Sequence, residues 1–201
     1  MTAIEQPPCV LGIDSALSRT GVAIIERTPE GCRARTDVVA SPTRSQSILD
    51  RHHRIIDIVG GVRAKAGGRA ELALIEAPAL AADHGNAWDR AAVWWGILSV
   101  LLDRDVPVAM VAPTTLKKWA TGRGGSAKNP VDKPDVVKAM HAMWPGVPAT
   151  CSDLRHHECE ALAMAHMCAQ HLGWPVPVRR HHGEPLAVVK WPRLAPVGAA
   201  P

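Results

Sequence analysis

The sequence LGIDSALSRTGVAII spans residues 11–25 and decides the fold. Two short apolar runs, residues 10–14 and 21–26, flank the turn-rich segment SALSRT, which predicts two strands joined by a tight loop. Residues 36–40 predict a third strand. Three short strands in succession favour antiparallel hairpins, and the first of them ends on a carboxylate, Asp14.

Further along the chain, helices and strands alternate. In the first predicted helix, apolar side chains and one histidine recur at helical spacing: Ile48, Leu49, His52, Ile55, Ile56 and Val59. The predicted order is helix (45–66), strand (72–76), helix (86–103, with Asn86 as N-cap), strand (107–112) and helices (113–120, 133–144, 157–172). The sequence therefore predicts an α/β fold, with a five-stranded mixed sheet flanked by helices.

Composition restricts the function classes. The net charge of +4 and a pI near 9.0 suit a polyanionic partner but do not establish one. Tyr and Phe are absent, so only Trp, His or Arg could stack on bases. The first residues lack the basic and apolar regions of a signal peptide, so none is expected, and no apolar run is long enough to predict a membrane span. Its five cysteines lack regular spacing, which predicts reduced thiols and a cytosolic protein without membrane association.

The chain divides by composition. Residues 1–174 are predicted to form one domain with a hydrophobic core. After Trp174 the composition shifts to Pro, His and Arg, so residues 175–201 are interpreted as a tail or strap without a core of its own.

Acidic residues end two of the predicted strands. Asp14 follows the apolar run VLGI, and Glu76 follows LALI. A carboxylate at the end of a buried strand needs compensation for its lost hydration, which a divalent cation would supply. Taken singly, each acid is better explained as a solvated strand end or a turn cap. On two neighbouring strands, they predict a shared site.

The segment HECE at residues 157–160 adds two more candidate ligands. His157 and Glu160 are three residues apart, so they lie on the same side of the last strong helix, which continues with apolar residues. The helix dipole explains Glu158 without invoking a site. The four groups could surround one or two Mg²⁺ ions, or His157 could instead take a proton from the attacking water.

A basic, glycine-rich loop follows the fifth strand. Residues 121–130 read TGRGGSAKNP, where glycines let backbone amides approach phosphates closely. A solvated surface loop is the alternative. Because the spacing is not that of a phosphate-binding P-loop, no nucleotide cofactor is expected. The basic residues in and around the loop are Lys117, Lys118, Arg123, Lys128, Lys133 and Lys138.

A Cys/His-rich stretch, residues 151–171, raises the alternative of structural zinc. The paired spacing of a zinc finger is missing. Cys159 and His166 are expected on the side of the helix opposite His157 and Glu160. Zinc is therefore disfavoured.

The ordered set of motifs resembles the RuvC-type Holliday junction resolvases, which have an RNase H-like fold. The resemblance rests on four segments that keep their chain order from about residue 9 to 172: LGIDSALSRTGVAII, LALIEAPAL, PTTLKKWATGRGGSAKNPVDKPDVVKAM and HECEALAMA. It implies a homodimeric endonuclease with two sites, which nicks opposing strands of a four-way DNA junction in recombination and repair.

The resemblance also implies roles for individual residues. Asp14 would lie between two Mg²⁺ ions, for which Mn²⁺ could substitute. Glu76 and Glu160 would ligate from either side, and His157 would be ligand or base. Lys117 matches a functional lysine of the family. A second functional lysine would be Lys133 or, given an insertion, Lys128.

Several positions depart from the family pattern. Ser15 and Ala16 replace the usual Pro-Gly after the first aspartate, and Glu160 replaces the usual Asp. The aromatic wedge of the family falls at Ala79, so base stacking must move elsewhere, with Trp88 as the candidate. Such divergence is compatible with a phage-encoded member.

Three alternatives remain open at this stage. A nuclease of the same fold could act on flaps, other branched DNA or RNA. The segment GIDSALSRTG faintly resembles the phosphate loop of sugar-kinase-like phosphotransferases, but 201 residues leave no room for their second half. A DNA-binding module without catalysis is the third, although all four candidate ligands are present.

Overall fold

The computed structural model describes residues 7–41, 47–67, 70–78, 86–125, 129–147 and 156–194. Its strands are β1 (Cys9–Asp14), β2 (Arg19–Thr28), β3 (Gly31–Ala40), β4 (Leu72–Glu76) and β5 (Val108–Val111). Its helices are α1 (Ile48–Lys65), α2 (Ala87–Leu102), α3 (Pro113–Thr121), α4 (Lys133–Met143), α5 (His156–His171) and α6 (Gly183–Ala187). The third strand begins five residues earlier than predicted, and Asn86 precedes α2 without a side-chain capping hydrogen bond.

The five strands form one mixed sheet in the order β3-β2-β1-β4-β5. β2 is antiparallel to both β1 and β3, whereas β4 is parallel to β1 and to β5. This confirms the predicted α/β architecture, with three antiparallel strands followed by two parallel ones. No helix among the described residues is both long and apolar enough to cross a lipid bilayer.

The two faces of the sheet bury separate cores, because side chains alternate along each strand. On β1, Leu11 and Ile13 face the core that α1 and α2 cover. Val10, on the opposite face, packs in the core formed with α3, α4 and α5.

Helix α5 lies directly against β1 and β2 because two glycines make room for its backbone. A Cβ on Gly12 would lie 1.9 Å from the carbonyl oxygen of Ala161, and one on Gly21 would lie 2.1 Å from that of His157. Any side chain at either position would push the helix off the sheet. The first turns of α5 therefore sit over the end of β1, beside Asp14.

Helix α5 is buried on every side along most of its length. All residues from Glu158 to Ala169 are buried. Thr36 donates a hydrogen bond to the buried Glu158 carboxylate at 3.0 Å, so this acid is more than a complement to the helix dipole. The Nδ1 of His166 accepts from Trp144 Nε1 at 3.0 Å, and its Nε2 donates to the Pro177 carbonyl at 2.8 Å.

Residues 175–194, which we name the C-terminal strap, cover α3 and the outer side of α5. Val176 and Val189 are buried in the core shared with α3, α4 and α5. The ring of His182 stacks on Trp119 at 4.2 Å between centroids, and Glu184 pairs with Lys118 at 2.6 Å. The strap therefore fixes the position of α3.

Helix α1 buries a different side from the one its apolar residues suggest. The buried residues are Arg54, Ile58 and Val62, whereas Ile48, Leu49 and Ile56 are exposed. On α2, Trp88, Trp95 and Leu102 are exposed as well. The α1–α2 layer thus presents large apolar side chains to solvent on its outer surface.

Candidate active site

Two carboxylates meet where β1 and β4 end. The strands are parallel and Ile13 pairs with Ile75, so the next residues, Asp14 and Glu76, project from the same edge of the sheet. Asp14 is 5% exposed and Glu76 is half-buried. Trp94 donates a hydrogen bond from Nε1 to the Glu76 carbonyl at 2.9 Å, which fixes the end of β4.

The turn after Asp14 is held by Thr20, which the sequence did not single out. The fully buried Thr20 hydroxyl donates to the Ala16 carbonyl at 2.8 Å and accepts from the Ala16 amide at 3.2 Å. These two bonds order the Ser15-Ala16 turn that replaces the Pro-Gly of the family pattern.

The first turns of α5 complete the cluster. The Nδ1 of His157 contacts the Oδ2 of Asp14. The carboxyl group of Glu160, 7% exposed, lies within hydrogen-bonding reach of Asp14, as does that of Glu76. The structure therefore brings together all four predicted groups, which come from β1, β4 and α5.

The acids of this cluster disfavour one another's charge. Burial, reinforced by the negative charges of Asp14 and Glu160, raises the pKa of Glu76 to about 8. Burial and the charge of Asp14 raise the pKa of Glu160 to about 7. Near neutral pH, the ionised forms of these three crowded carboxyl groups are therefore unfavourable unless additional positive charge is bound beside them. Their oxygen atoms, with an imidazole beside them, match the donors that bind divalent cations, so Asp14, Glu76, His157 and Glu160 fit such ions.

His156 is an additional candidate ligand that the sequence reasoning missed. One ligand atom each of His156, His157 and Glu160 lie within 4.8 Å of one another. Among the described residues, no other set of three His, Cys, Asp or Glu side chains brings its ligand atoms within 4.8 Å of one another, and this set contains no cysteine. The signal available in the sequence was the histidine pair, of which His156 stands four residues before Glu160.

Two of the predicted lysines reach the cluster. The positive charge of Lys117 lowers the pKa of Glu76, partly offsetting the burial. Lys133 Nζ lies 2.8 Å from His156 Nε2, and its charge lowers the pKa of Glu160. The structure thus places one lysine on each side of the site.

Three other basic residues of the loop region either have other partners or fall outside the described part of the chain. Lys118 pairs with Glu184 of the strap at 2.6 Å, and Arg123 pairs with Asp135 at 3.2 Å. Lys128 lies outside the described residues, as does Ala79 at the wedge position. Trp88, the substitute stacking residue, is 84% exposed in the first turn of α2.

Comparison with known proteins supports the fold. A Thermus thermophilus RuvC structure matches with a TM-score of 0.59 and 21% identity, over 85% of this chain and 99% of that one. A T. thermophilus RuvC structure in complex with a Holliday junction substrate matches with a TM-score of 0.60 and 18% identity, over the same shares. No protein-family model matches the sequence, and no curated protein sequence does either. At 21% and 18% identity these comparisons show the fold alone, and the chain has the fold of the two RuvC structures.

Proposed function

We propose that the protein is a Mg²⁺-dependent endonuclease that resolves four-way DNA junctions by hydrolysing a phosphodiester bond in each of two opposing strands. The observation that carries the proposal is the convergence of Asp14, Glu76, His157 and Glu160 from three distant segments. The RuvC fold supports it, since one of the matching RuvC structures holds a Holliday junction substrate. The ordered sequence motifs around the same four residues support it independently.

We assign the four groups to two metal positions. Two bound Mg²⁺ ions, for which Mn²⁺ can substitute, would supply an activated water and neutralise charge on the attacking and leaving oxygens. Asp14 lies in the middle of the cluster and suits a bridging role, with Glu76 and Glu160 on either side. His157 engages Asp14 through Nδ1, which leaves Nε2 to ligate or to accept a proton from water.

DNA binding is proposed to run along α3, the following loop and the start of α4. Lys117 and Lys133 flank the carboxylates, so they are placed to contact the phosphate that is cleaved. Lys118, Arg123 and Lys128 would contact phosphates further along the strand. The strap holds α3 in position for this role, so we treat residues 1–174 as the nuclease and residues 175–201 as its support. The exposed Trp88 is the proposed stacking residue for unpaired bases.

The proposed enzyme acts as a homodimer, because two opposing nicks require two sites. Large exposed apolar patches mark interaction surfaces. The α1–α2 layer exposes Leu49 and Ile56 on α1 and Trp95 and Leu102 on α2. The two residues of each pair are seven positions apart, so they lie on the same side of their helix. We place the second copy on this surface. We expect Trp95→Glu to convert a dimer into a monomer in light scattering, whereas Val178→Glu, equally exposed on the strap, should leave it unchanged. A Trp95→Glu protein that remains dimeric would contradict this placement.

A cleavage assay tests the function. Four-way junction, flap, linear duplex and RNA are incubated with the protein in Mg²⁺, Mn²⁺ or Ca²⁺, and nicks are mapped on all four junction strands. We expect paired nicks on opposing strands with Mg²⁺ or Mn²⁺. Preferred cleavage of flaps or RNA would replace the junction as substrate, and binding without cleavage would indicate a DNA-binding module. The proposed setting is the cytoplasm, where bacterial or phage DNA is located.

A further inference from the structure

The first histidine of the HHECE segment, His156, adds a second imidazole to one end of the proposed metal site. His156 and His157 stand four and three residues before Glu160, so all three project from the same side of α5. We propose that His156, His157 and Glu160 form a position for a transition-metal dication, such as Mn²⁺ or Co²⁺, that binds such ions in preference to Mg²⁺. This inference rests on the proposed metal-dependent function and specifies the ion at one of its two positions.

Ligand chemistry separates the two ends of the site. Asp14 and Glu76 offer oxygen atoms, which hard cations such as Mg²⁺ prefer. His156 and His157 offer imidazole nitrogen, which binds first-row transition metals and for which Mg²⁺ has little affinity. With two nitrogen donors and one oxygen donor, the α5 end should follow the order Mn²⁺ below Co²⁺ in affinity, with Mg²⁺ weaker than both.

The geometry of α5 favours shared coordination by the two histidines. Their ring centroids lie 3.8 Å apart, and the candidate ligand atoms of His156, His157 and Glu160 lie within 4.8 Å of one another. A metal ion ligated at about 2.0–2.2 Å separates its ligand atoms by no more than roughly 4.4 Å. Small rotations of the side chains are therefore sufficient to bring all three onto one ion.

Lys133 shows that this place already attracts positive charge. Its ammonium group donates a hydrogen bond to His156 Nε2 at 2.8 Å, and its charge favours the ionised form of Glu160. A dication that uses the same nitrogen lone pair must displace Lys133. Removing the ammonium group should therefore tighten transition-metal binding. The loss of a merely structural contact would not increase the affinity for the metal.

The test measures metal binding directly, without DNA. The full-length protein is titrated with Co²⁺ in excess Mg²⁺, using visible absorption to detect nitrogen ligation and calorimetry for affinity; Mn²⁺ binding is followed by electron paramagnetic resonance. We expect His156→Asn to weaken Co²⁺ binding at least about tenfold, by analogy with the loss of supporting ligands. His53→Asn, an exposed histidine on α1, is the matched control and should bind as the wild type. The Lys133→Met protein should bind Co²⁺ more tightly than the wild type does.

His156→Asp provides a second measurement that keeps a ligand but exchanges nitrogen for oxygen. It should shift the Co²⁺-to-Mg²⁺ preference toward Mg²⁺ by about tenfold. Wild-type affinity for Co²⁺ in both His156 variants would overturn the transition-metal position, while Mg²⁺-dependent junction cleavage by the same proteins would leave the proposed function standing. A wild-type protein that binds no divalent ion and cleaves no DNA would overturn both.

Discussion

The sheet half and the helix half of the candidate site are held by different means. Asp14 and Glu76 stand at the ends of paired parallel strands, where the hydrogen-bond ladder fixes them side by side. His157 and Glu160 depend on a helix that reaches the sheet only because Gly12 and Gly21 lack side chains. Strand register alone therefore determines the position of one half of the site, whereas close packing between distant segments determines the position of the other.

Removing the carboxylate of the sheet half that also contacts the helix half, Asp14, should have the largest effect. We expect Asp14→Asn to lower metal-dependent cleavage of a four-way junction by at least about a thousandfold, because a shared ligand is lost. Junction binding should be largely retained, since affinity comes mostly from Lys and Arg contacts to phosphate. Single-turnover nicking and gel-shift titration measure the two properties.

The matched control for this variant is Glu30→Gln, which removes an exposed carboxylate from the β2–β3 turn. It should nick as the wild type does. Wild-type nicking by Asp14→Asn would remove this residue from the site.

The helix half of the site can be displaced by a substitution that changes none of the candidate ligands. A methyl group at Gly21 would collide with the His157 backbone, so Gly21→Ala should move α5 and lower cleavage by roughly a hundredfold through misplacement of His157 and Glu160. The overpacking should also reduce the free energy of unfolding by about 1–3 kcal/mol. Nicking assays and urea unfolding check both values.

Gly60 in α1 is the matched control, because a Cβ there meets no atom within 4 Å. Gly60→Ala should raise the free energy of unfolding by up to about 1 kcal/mol, as alanine favours a helix. Equal cleavage by the Gly21 and Gly60 variants would show that α5 tolerates displacement.

The pH dependence of the free energy of unfolding tests the electrostatics of the sheet half of the site. The pKa of Glu76 is raised to about 8 in the folded protein, from an ordinary value of 4.5. The folded state therefore holds a proton that the unfolded state releases, and this stability is lost as pH rises from about 4.5 through 8. In chelator, Glu76→Gln should remove that loss and make the protein more stable than the wild type at pH 8, on the order of 2 kcal/mol.

Urea unfolding at several pH values in chelator measures this effect. The advantage of Glu76→Gln should shrink toward pH 5, and added Mg²⁺ should stabilise the wild type more than the variant. A variant that is less stable than the wild type at pH 8 would mean that burial and the neighbouring acids do not raise the pKa of Glu76 in the folded protein.

The smallest expected effect concerns a lysine beside the sheet half. Each lost phosphate contact reduces the log–log salt slope of DNA binding by about 0.9. Lys117→Ala should therefore show this reduction, with the affinity loss greatest at low salt. Lys65→Ala, at the far end of α1, serves as the control. A slope unchanged in Lys117→Ala would place this lysine away from phosphate.

The sequence anticipated the sheet half more completely than the helix half. Apolar runs that end in Asp14 and Glu76 are local signals, and the shared site was predicted on the condition that the two strands are neighbours, as β1 and β4 are in the structure. His156 and Lys133 meet only through the packing of α4 on α5, which local spacing does not report. For the same reason, local spacing did not predict that α5 is buried on all sides, because this burial depends on the C-terminal strap.

Helix α1 shows a second limit of the sequence. Its apolar residues recur at helical spacing, so periodicity predicted the helix, but the side that these residues suggest is not the side that is buried. The structure buries Ile58 and Val62 and leaves Leu49 and Ile56 exposed. Burial here depends on how α1 packs against α2, through Arg51 with Asp89 and Val59 with Gly96. Neither contact is visible in the spacing of apolar residues.

The central claim is that carboxylates from separate segments share divalent ions. Crystals of the protein grown with Mn²⁺ and measured for anomalous scattering test it most directly. We expect anomalous peaks within ligand distance of Asp14, with Glu76 and Glu160 each coordinating a peak. Peaks elsewhere, or side chains of Asp14, Glu76 and Glu160 too far apart to share an ion at saturating Mn²⁺, would contradict the metal-dependent nuclease.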